Sequence, residues 1–217
     1  MAIIDLSTSH SVLNTFVSEL RNVDVQKDPM RFRKNLVRIG EIMAYEISKS
    51  FNYERRDIKT PLGVHESSFI KDKLVIGTIL RAGLPLHEGF LNYFDFAENA
   101  FVSAYRKYID KENFDIHIEY ISSPDLNGKT LILVDPMLAT GTSFELAYQA
   151  LLSKGIPAKI HLVSVIASKD GVAYLKRQLD LNKINLWCAA VDPELNSKSY
   201  IVPGLGDAGD LAFGEKT

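Results

Sequence analysis

From Leu74 to Val191 the chain alternates short apolar runs with amphipathic stretches, and nothing else in the sequence constrains the fold as strongly. Residues 74–80, 101–105, 129–135, 160–167 and 184–191 are brief and rich in Val, Ile and Leu. Runs of that kind mark strands buried on both faces rather than on one. Between them, residues 85–94, 143–154 and 171–179 carry helical patterning. Strand and helix in alternation predict an α/β fold, a mostly parallel sheet flanked by helices. Two helices are expected ahead of this region. One covers residues 11–21. The other starts at Asp28-Pro29, an N-cap followed by proline at the first helical position, and Phe32, Leu36, Ile39, Met43 and Ile47 form its apolar face. Both are expected to brace the sheet or to contribute to a subunit interface. No repeat or low-complexity linker interrupts residues 1–217, which therefore read as one domain large enough to enclose a site.

With 25 basic against 27 acidic residues the net charge is −2. No global field draws such a chain to nucleic acid or to an anionic membrane, so an anionic ligand has to be caught by a local arrangement. Cys188 is the single cysteine, which excludes an intramolecular disulfide and favours a reducing, cytoplasmic setting. The opening MAIIDLSTSHS lacks the pattern of a signal peptide, and no run approaches the roughly 20 apolar residues of a membrane span.

Ligands of parallel sheets bind outside the carboxyl ends of the strands, so the loops after Leu80, Tyr105 and Val134 are the places to search. The segment VDPMLATGTS, residues 134–143, joins a buried run to a helix. Asp135 can accept hydrogen bonds from ribose hydroxyls. The amides and hydroxyls of Thr140, Gly141, Thr142 and Ser143 stand at a helix N-terminus, where unsatisfied N–H groups and the helix dipole favour a phosphate. A plain turn capped by Thr or Ser is the competing reading. The segment is not a P-loop, because the Gly-Lys-Ser/Thr ending is missing. After the first strand comes ILRAG, in which Arg81 offers a planar fork to phosphate oxygens; the alternative is a structural salt bridge. Residues 200–214, YIVPGLGDAGDLAFG, hold four glycines and two aspartates, yet are too apolar for a solvated tail.

These segments together resemble the uracil phosphoribosyltransferase family, of the type I phosphoribosyltransferase fold. The family's loop for phosphoribosyl pyrophosphate (PRPP) reads Asp-Pro-Met-Leu-Ala-Thr-Gly-Gly-Ser, and this chain departs from it at Thr142. Pro136 stands where many relatives outside the uracil branch carry a second acid. The resemblance implies that PRPP is bound by Arg81, Arg106, Asp135, Pro136, Met137, Leu138, Ala139, Thr140, Gly141, Thr142, Ser143 and Asp207. It implies a uracil site in a C-terminal hood at Ile201, Gly206, Asp207 and Ala208, and catalytic roles for Arg81, Arg106, Asp135 and Asp207. Magnesium carried by PRPP, a homodimer or larger assembly, and GTP as an activator in some members also follow from the resemblance.

The expected reaction joins PRPP to N1 of uracil, giving UMP and pyrophosphate. The rivals are a phosphoribosyltransferase for another base and an RNA-binding pyrimidine regulator that keeps the fold. The stretch 107–129 departs from the family pattern, although a β-hairpin arm is still expected, with Phe114, Ile116, Ile118 and Tyr120 on one face. His10, His65, His87, His117 and His161 lack metal-ligand spacing and read as structural. Cys188, beside Trp187, reads as core.

Overall fold

The computed structural model describes residues 2–108, 114–179 and 183–215, with the backbone alone for 104–108 and 114–117. In chain order the elements are β1 (Ala2–Asp5), α1 (Val12–Arg21), α2 (Pro29–Ser48), β2 (Tyr53–Thr60), β3 (Gly63–Ile70), β4 (Leu74–Leu80), α3 (Leu84–Leu91), β5 (Glu98–Tyr108) and β6 (Phe114–Ser122). They continue with β7 (Thr130–Val134), β8 (Met137–Leu138), α4 (Thr142–Leu152), β9 (Lys159–Ser168), α5 (Lys169–Gln178), β10 (Ile184–Asp192), β11 (Glu194–Leu195), β12 (Ile201–Val202) and α6 (Ala208–Phe213).

The central sheet runs β1-β10-β9-β7-β4-β5-β6, with β8 added beside β9. Every pairing in it is parallel except β5 with β6, which form an antiparallel hairpin at one edge. Side chains alternate across each strand and so serve two cores. Ile76, Ile132, Val134, Val163 and Trp187 face the layer built from α1, α2 and α3. Val75, Leu131, Leu133, Leu162 and Leu186 face α4 and α5. Burial on both faces explains why these strands are unbroken apolar runs. It also places Cys188 in the second core, where burial pushes its thiol up to about 12.

The helix expected from Asp28-Pro29 forms as read. The Asp28 carboxylate accepts from the N–H groups of Met30 and Arg31, and Phe32, Leu36, Ile39, Met43 and Ile47 are all buried. Elements absent from the sequence reading are short or polar: β1, the β2–β3 hairpin, β8, β11–β12 and α6. The β2–β3 hairpin stands apart from the main sheet and leaves Tyr53, Ile58, Val64 and Phe69 exposed. Strand β5 is also longer than the expected 101–105, because Glu98 and Asn99 still pair with β4 and residues 106–108 still pair with β6. Among the described residues, no helix is long and apolar enough to cross a membrane.

Candidate active site

Strand β4 pairs with β5 on one side and β7 on the other. The chain leaves β4 outward through β5 and β6, then crosses back to β7 and continues to β9 and β10. Strand order therefore reverses between β4 and β7, and a crevice opens there outside the carboxyl ends. Arg81 leaves the end of β4, and Asp135 leaves the end of β7. The two loops are in close contact. A Cβ built on Gly83 would lie 2.1 Å from Thr78 Oγ1 and 3.1 Å from the Val134 carbonyl oxygen, so only glycine lets the β4 loop settle onto β7.

The helices that begin at this crevice differ from the rest. Helices α1, α2, α5 and α6 have N-caps whose side chains accept backbone N–H bonds: Ser11, Asp28, Ser168 and Asp207. Helices α3 and α4 start from Gly83 and Gly141, which supply no side-chain cap. Neither cap residue therefore offers a carboxylate or hydroxyl to the N-terminal amides of its helix. The competing reading of residues 134–143, a turn capped by Thr or Ser, is met in part, by a hydroxyl outside the cap position. The nearest substitute is Thr140 Oγ1, 3.4 Å from the Thr142 N–H, with a further contact of 3.2 Å to Thr142 Oγ1.

The loop between β7 and α4 is held from behind. The Pro136 carbonyl accepts from Val165 N–H at 3.1 Å and Ile166 N–H at 2.9 Å, and Met137 and Leu138 pair with β9 as strand β8. The Ala139 carbonyl accepts from Ser168 Oγ at 2.6 Å, and a Cβ on Gly171 would come within 2.2 Å of that same oxygen. Gly141 turns the chain into α4 at φ +90°, close against Tyr174. The Tyr174 hydroxyl donates to Glu145 in the first turn of α4, and that bond is the main reason its pKa is raised. Asp135 is almost wholly buried, its N–H donating to the Val163 carbonyl at 3.0 Å.

The C-terminal segment reaches the same crevice. Arg81 Nη2 donates to the Gly214 carbonyl at 3.0 Å and lies 3.6 Å from Asp210 Oδ1, so the structural ion pair considered from sequence exists. Asp207 caps α6 through bonds from the Gly209 and Asp210 N–H groups. Gly206 has φ +95°, and a Cβ there would meet nothing closer than Leu211 Cδ1 at 3.9 Å, leaving open space on that side. Ile201 and Ala208 are buried against the core. The peptide bonds Leu80–Arg81 and Val202–Pro203 are cis. Arg106 lies on β5 opposite Ile116, but its side chain is outside the described residues, as is that of His117.

Sequence reasoning missed a second set of residues at the crevice rim. Arg21 and Asp192 form a forked ion pair that also grips Gly204. Arg33 anchors α6 through the Ala212 carbonyl at 2.7 Å. No spacing rule links residues so distant in the chain. The buried histidines sit away from the crevice. His87 Nε2 pairs with Asn99 Oδ1 at 2.8 Å, and His161 Nδ1 accepts from Trp187 Nε1 at 2.9 Å. Burial lowers the pKa of both, that of His161 to about 3. Among the described residues, no three His, Cys, Asp or Glu side chains gather as a metal site.

Comparison with known proteins agrees with this geometry. Residues 7–215 match the sequence family described as uracil phosphoribosyltransferase. A uracil phosphoribosyltransferase of Porphyromonas gingivalis is 60% identical over the full length of both chains. A solved structure of an Aquifex aeolicus protein superimposes with a TM-score of 0.86 at 32% identity, covering 98% of each chain. A hypoxanthine phosphoribosyltransferase of Staphylococcus aureus, 13% identical, shares the fold over 75% of this chain and 76% of its own, with a TM-score of 0.50.

Proposed function

The chain belongs to the uracil phosphoribosyltransferase family, and from that membership we infer that it transfers the phosphoribosyl group of PRPP to N1 of uracil. The bond from the ribose anomeric carbon to pyrophosphate breaks as the bond to N1 forms. Pyrophosphate carries away the electron pair, and N1 gives up its proton. The transition state is oxocarbenium-like and needs no covalent enzyme intermediate, so positioning and charge stabilisation supply most of the acceleration.

The observation that carries the assignment of roles is the meeting of two side-chain-uncapped helix N-termini, Arg81 and Asp135 at one switch point. In this reading the amides and hydroxyls from Thr140 to Ser143 hold the 5-phosphate. The buried Asp135 carboxylate receives the ribose hydroxyls, and residues 136–139 keep the loop pinned to β9. Arg81, with Arg106 from β5, takes charge on the leaving pyrophosphate. Magnesium is proposed to arrive on PRPP. It would keep several waters and neutralise pyrophosphate charge without a dedicated set of protein ligands.

Uracil presents O2, N3–H and O4 as an acceptor-donor-acceptor row. We place it against the backbone of Ile201, Gly206 and Ala208, with Asp207 where base and sugar meet. The open space beside Gly206 supports this placement. Cytosine would leave buried groups unpaired, a stronger discriminator than a missing methyl. The uncovered β2–β3 hairpin supports a homodimer or larger assembly, since an isolated two-stranded hairpin is marginal in water.

The test is a steady-state assay with uracil, PRPP and magnesium, repeated with cytosine and hypoxanthine. UMP formation from uracil alone is expected. Comparable turnover of another base would remove the uracil assignment.

A further inference from the structure

The turn that carries the proposed base site hangs on one ion pair. Arg21 closes α1, and Asp192 closes β10. Their side chains meet as a two-pronged fork, Nη1 to Oδ2 and Nη2 to Oδ1, each at 2.7 Å. The same Nη1 donates to the Gly204 carbonyl at 2.9 Å, and the same Oδ2 accepts from the Gly204 N–H at 2.9 Å. Both backbone polar groups of a single glycine therefore end on one fork.

That glycine is a tight point in the chain. Gly204 has φ +54°, and a Cβ there would fall 2.1 Å from the Ile201 carbonyl oxygen. The turn is closed on itself, so fixing Gly204 fixes Ile201 behind it and constrains Gly206 ahead of it. The Asp192 side chain is 7% exposed and that of Arg21 23%. In so dry a place, charge-assisted bonds are strong and directional. Arg21 also sits at a helix C-terminus, where the dipole favours a cation. The two anchors belong to elements that do not move easily, one of them paired with β9 from Ile184 to Asp192.

We propose that Arg21 and Asp192 are positioning residues for base specificity, setting the register of the Ile201–Gly206 backbone against the nucleobase without touching it. The proposal rests on the reading of residues 201–208 as the uracil site. A backbone row discriminates only while its groups stay within hydrogen-bonding geometry of the ring. Apolar packing alone would let the turn slide along the core, whereas a fork that takes both the N–H and the C=O of Gly204 does not.

The native enzyme is assayed first, because failure to use uracil would remove the base-site reading itself rather than this proposal. Given turnover, Arg21→Lys and Asp192→Asn are compared with it. Lysine keeps the charge but cannot form the fork. The KM for uracil should rise about tenfold or more, the consequence of losing a charge-assisted bond. The KM for PRPP should hold within about twofold, and the preference for uracil over cytosine should narrow. Equal losses toward both substrates, or an unchanged uracil KM, would overturn the proposal. A single variant that strands a buried charge and fails to fold is replaced by Arg21→Gln with Asp192→Asn, which removes the fork and leaves no lone charge. The same uracil-selective change is expected there. Failure of that double variant to fold would assign the pair to the fold alone and would also overturn the inference.

Discussion

Changing Gly141 to alanine tests the phosphate loop where its geometry is most constrained. The residue sits at φ +90°, a region that costs an L side chain about 1–2 kcal/mol. Its new Cβ would lie 2.8 Å from Tyr174 Cδ1, 3.1 Å from the Gly171 carbonyl oxygen and 3.3 Å from Leu175 Cγ. None of these neighbours retreats readily. Tyr174 is held by its bond to Glu145, and Gly171 is pinned by its N–H bond to Ser168 Oγ and by its close fit to Ala139. Such overpacking adds about 1–3 kcal/mol. Strain of that size is either kept, lowering stability, or relieved by moving the loop and its amides away from the phosphate. Relief of about 1.4 kcal/mol by movement weakens PRPP binding about tenfold. The strain that is kept lowers Tm by about 2–4 °C per kcal/mol. The assay is PRPP and uracil kinetics, each with the other substrate saturating, alongside thermal unfolding. A variant with PRPP KM within about twofold of the native value and an unchanged Tm would refute the reasoning, because the turn would then accept a side chain at no cost.

Arg81→Ala should raise the PRPP KM by about tenfold or more with the fold intact, as a charge-assisted phosphate contact is worth roughly 1.5–3 kcal/mol; unchanged PRPP kinetics would leave Arg81 as a structural partner of Asp210 and Gly214. Asp135→Asn should lower PRPP binding and turnover by removing the charge that receives ribose hydroxyls, and retained affinity in direct PRPP titration would contradict this. Gly206→Ala should raise the uracil KM while sparing that of PRPP, because at φ +95° the backbone resists a side chain and would shift, and the methyl, with no protein neighbour closer than 3.9 Å, takes up space on the ligand side; uracil kinetics left untouched in a folded variant would move the base site elsewhere. His161 is held neutral by burial, with its pKa lowered from 6.5 to about 3. Its unfolded form takes up the proton first, so stability is complete above about pH 6.5 and is lost as the pH falls toward about 3, by about 2 kcal/mol between pH 7 and pH 5. Denaturant unfolding of His161→Gln across that window should show a shallower loss than the native protein; identical slopes would contradict the burial argument.

The parts of the fold legible in the sequence are those where burial acts on every residue of a run. Strands β4, β7, β9 and β10 contribute to both cores, so their apolar runs announce them within a residue or so of their ends. The β2–β3 hairpin was invisible for the opposite reason. Tyr-Glu-Arg-Arg-Asp-Ile-Lys-Thr and its partner strand are exposed on both faces, so no period of two develops. The positions of Arg81 and Asp135 after strand ends and of Gly141 at a helix start are legible because strand ends and helix starts are local features. The cap was read less well. A turn capped by Thr or Ser is the competing reading, and in the structure Gly141 takes the cap position while the Thr140 hydroxyl accepts from the Thr142 N–H. Arg21 and Asp192 left no trace, since they are 171 positions apart and meet only through the fold.

Arg81 carries two readings, an observed ion pair and a proposed pyrophosphate contact, and their magnitudes can be compared. Its ion pair with Asp210 spans 3.6 Å, with the two side chains 40% and 36% exposed. A pair so open to water contributes about 0–1 kcal/mol, less in salt. Its bond to the Gly214 carbonyl is a single contact near the chain terminus. A pyrophosphate oxygen offers the guanidinium a stronger, charge-assisted and bidentate partner. On the proposed reading, exchanging Asp210 for pyrophosphate would therefore be downhill. The exchange also has a consequence for the hood. Asp210 lies in the first turn of α6 and Gly214 closes it, so an Arg81 that took pyrophosphate as proposed would give up its contacts with the segment that carries the proposed base site. Arg81 links the β4 end to the C-terminal segment, and on the proposed reading PRPP binding would leave that segment to its other contacts. Those contacts include Arg33 on Ala212 and the Arg21–Asp192 fork on Gly204.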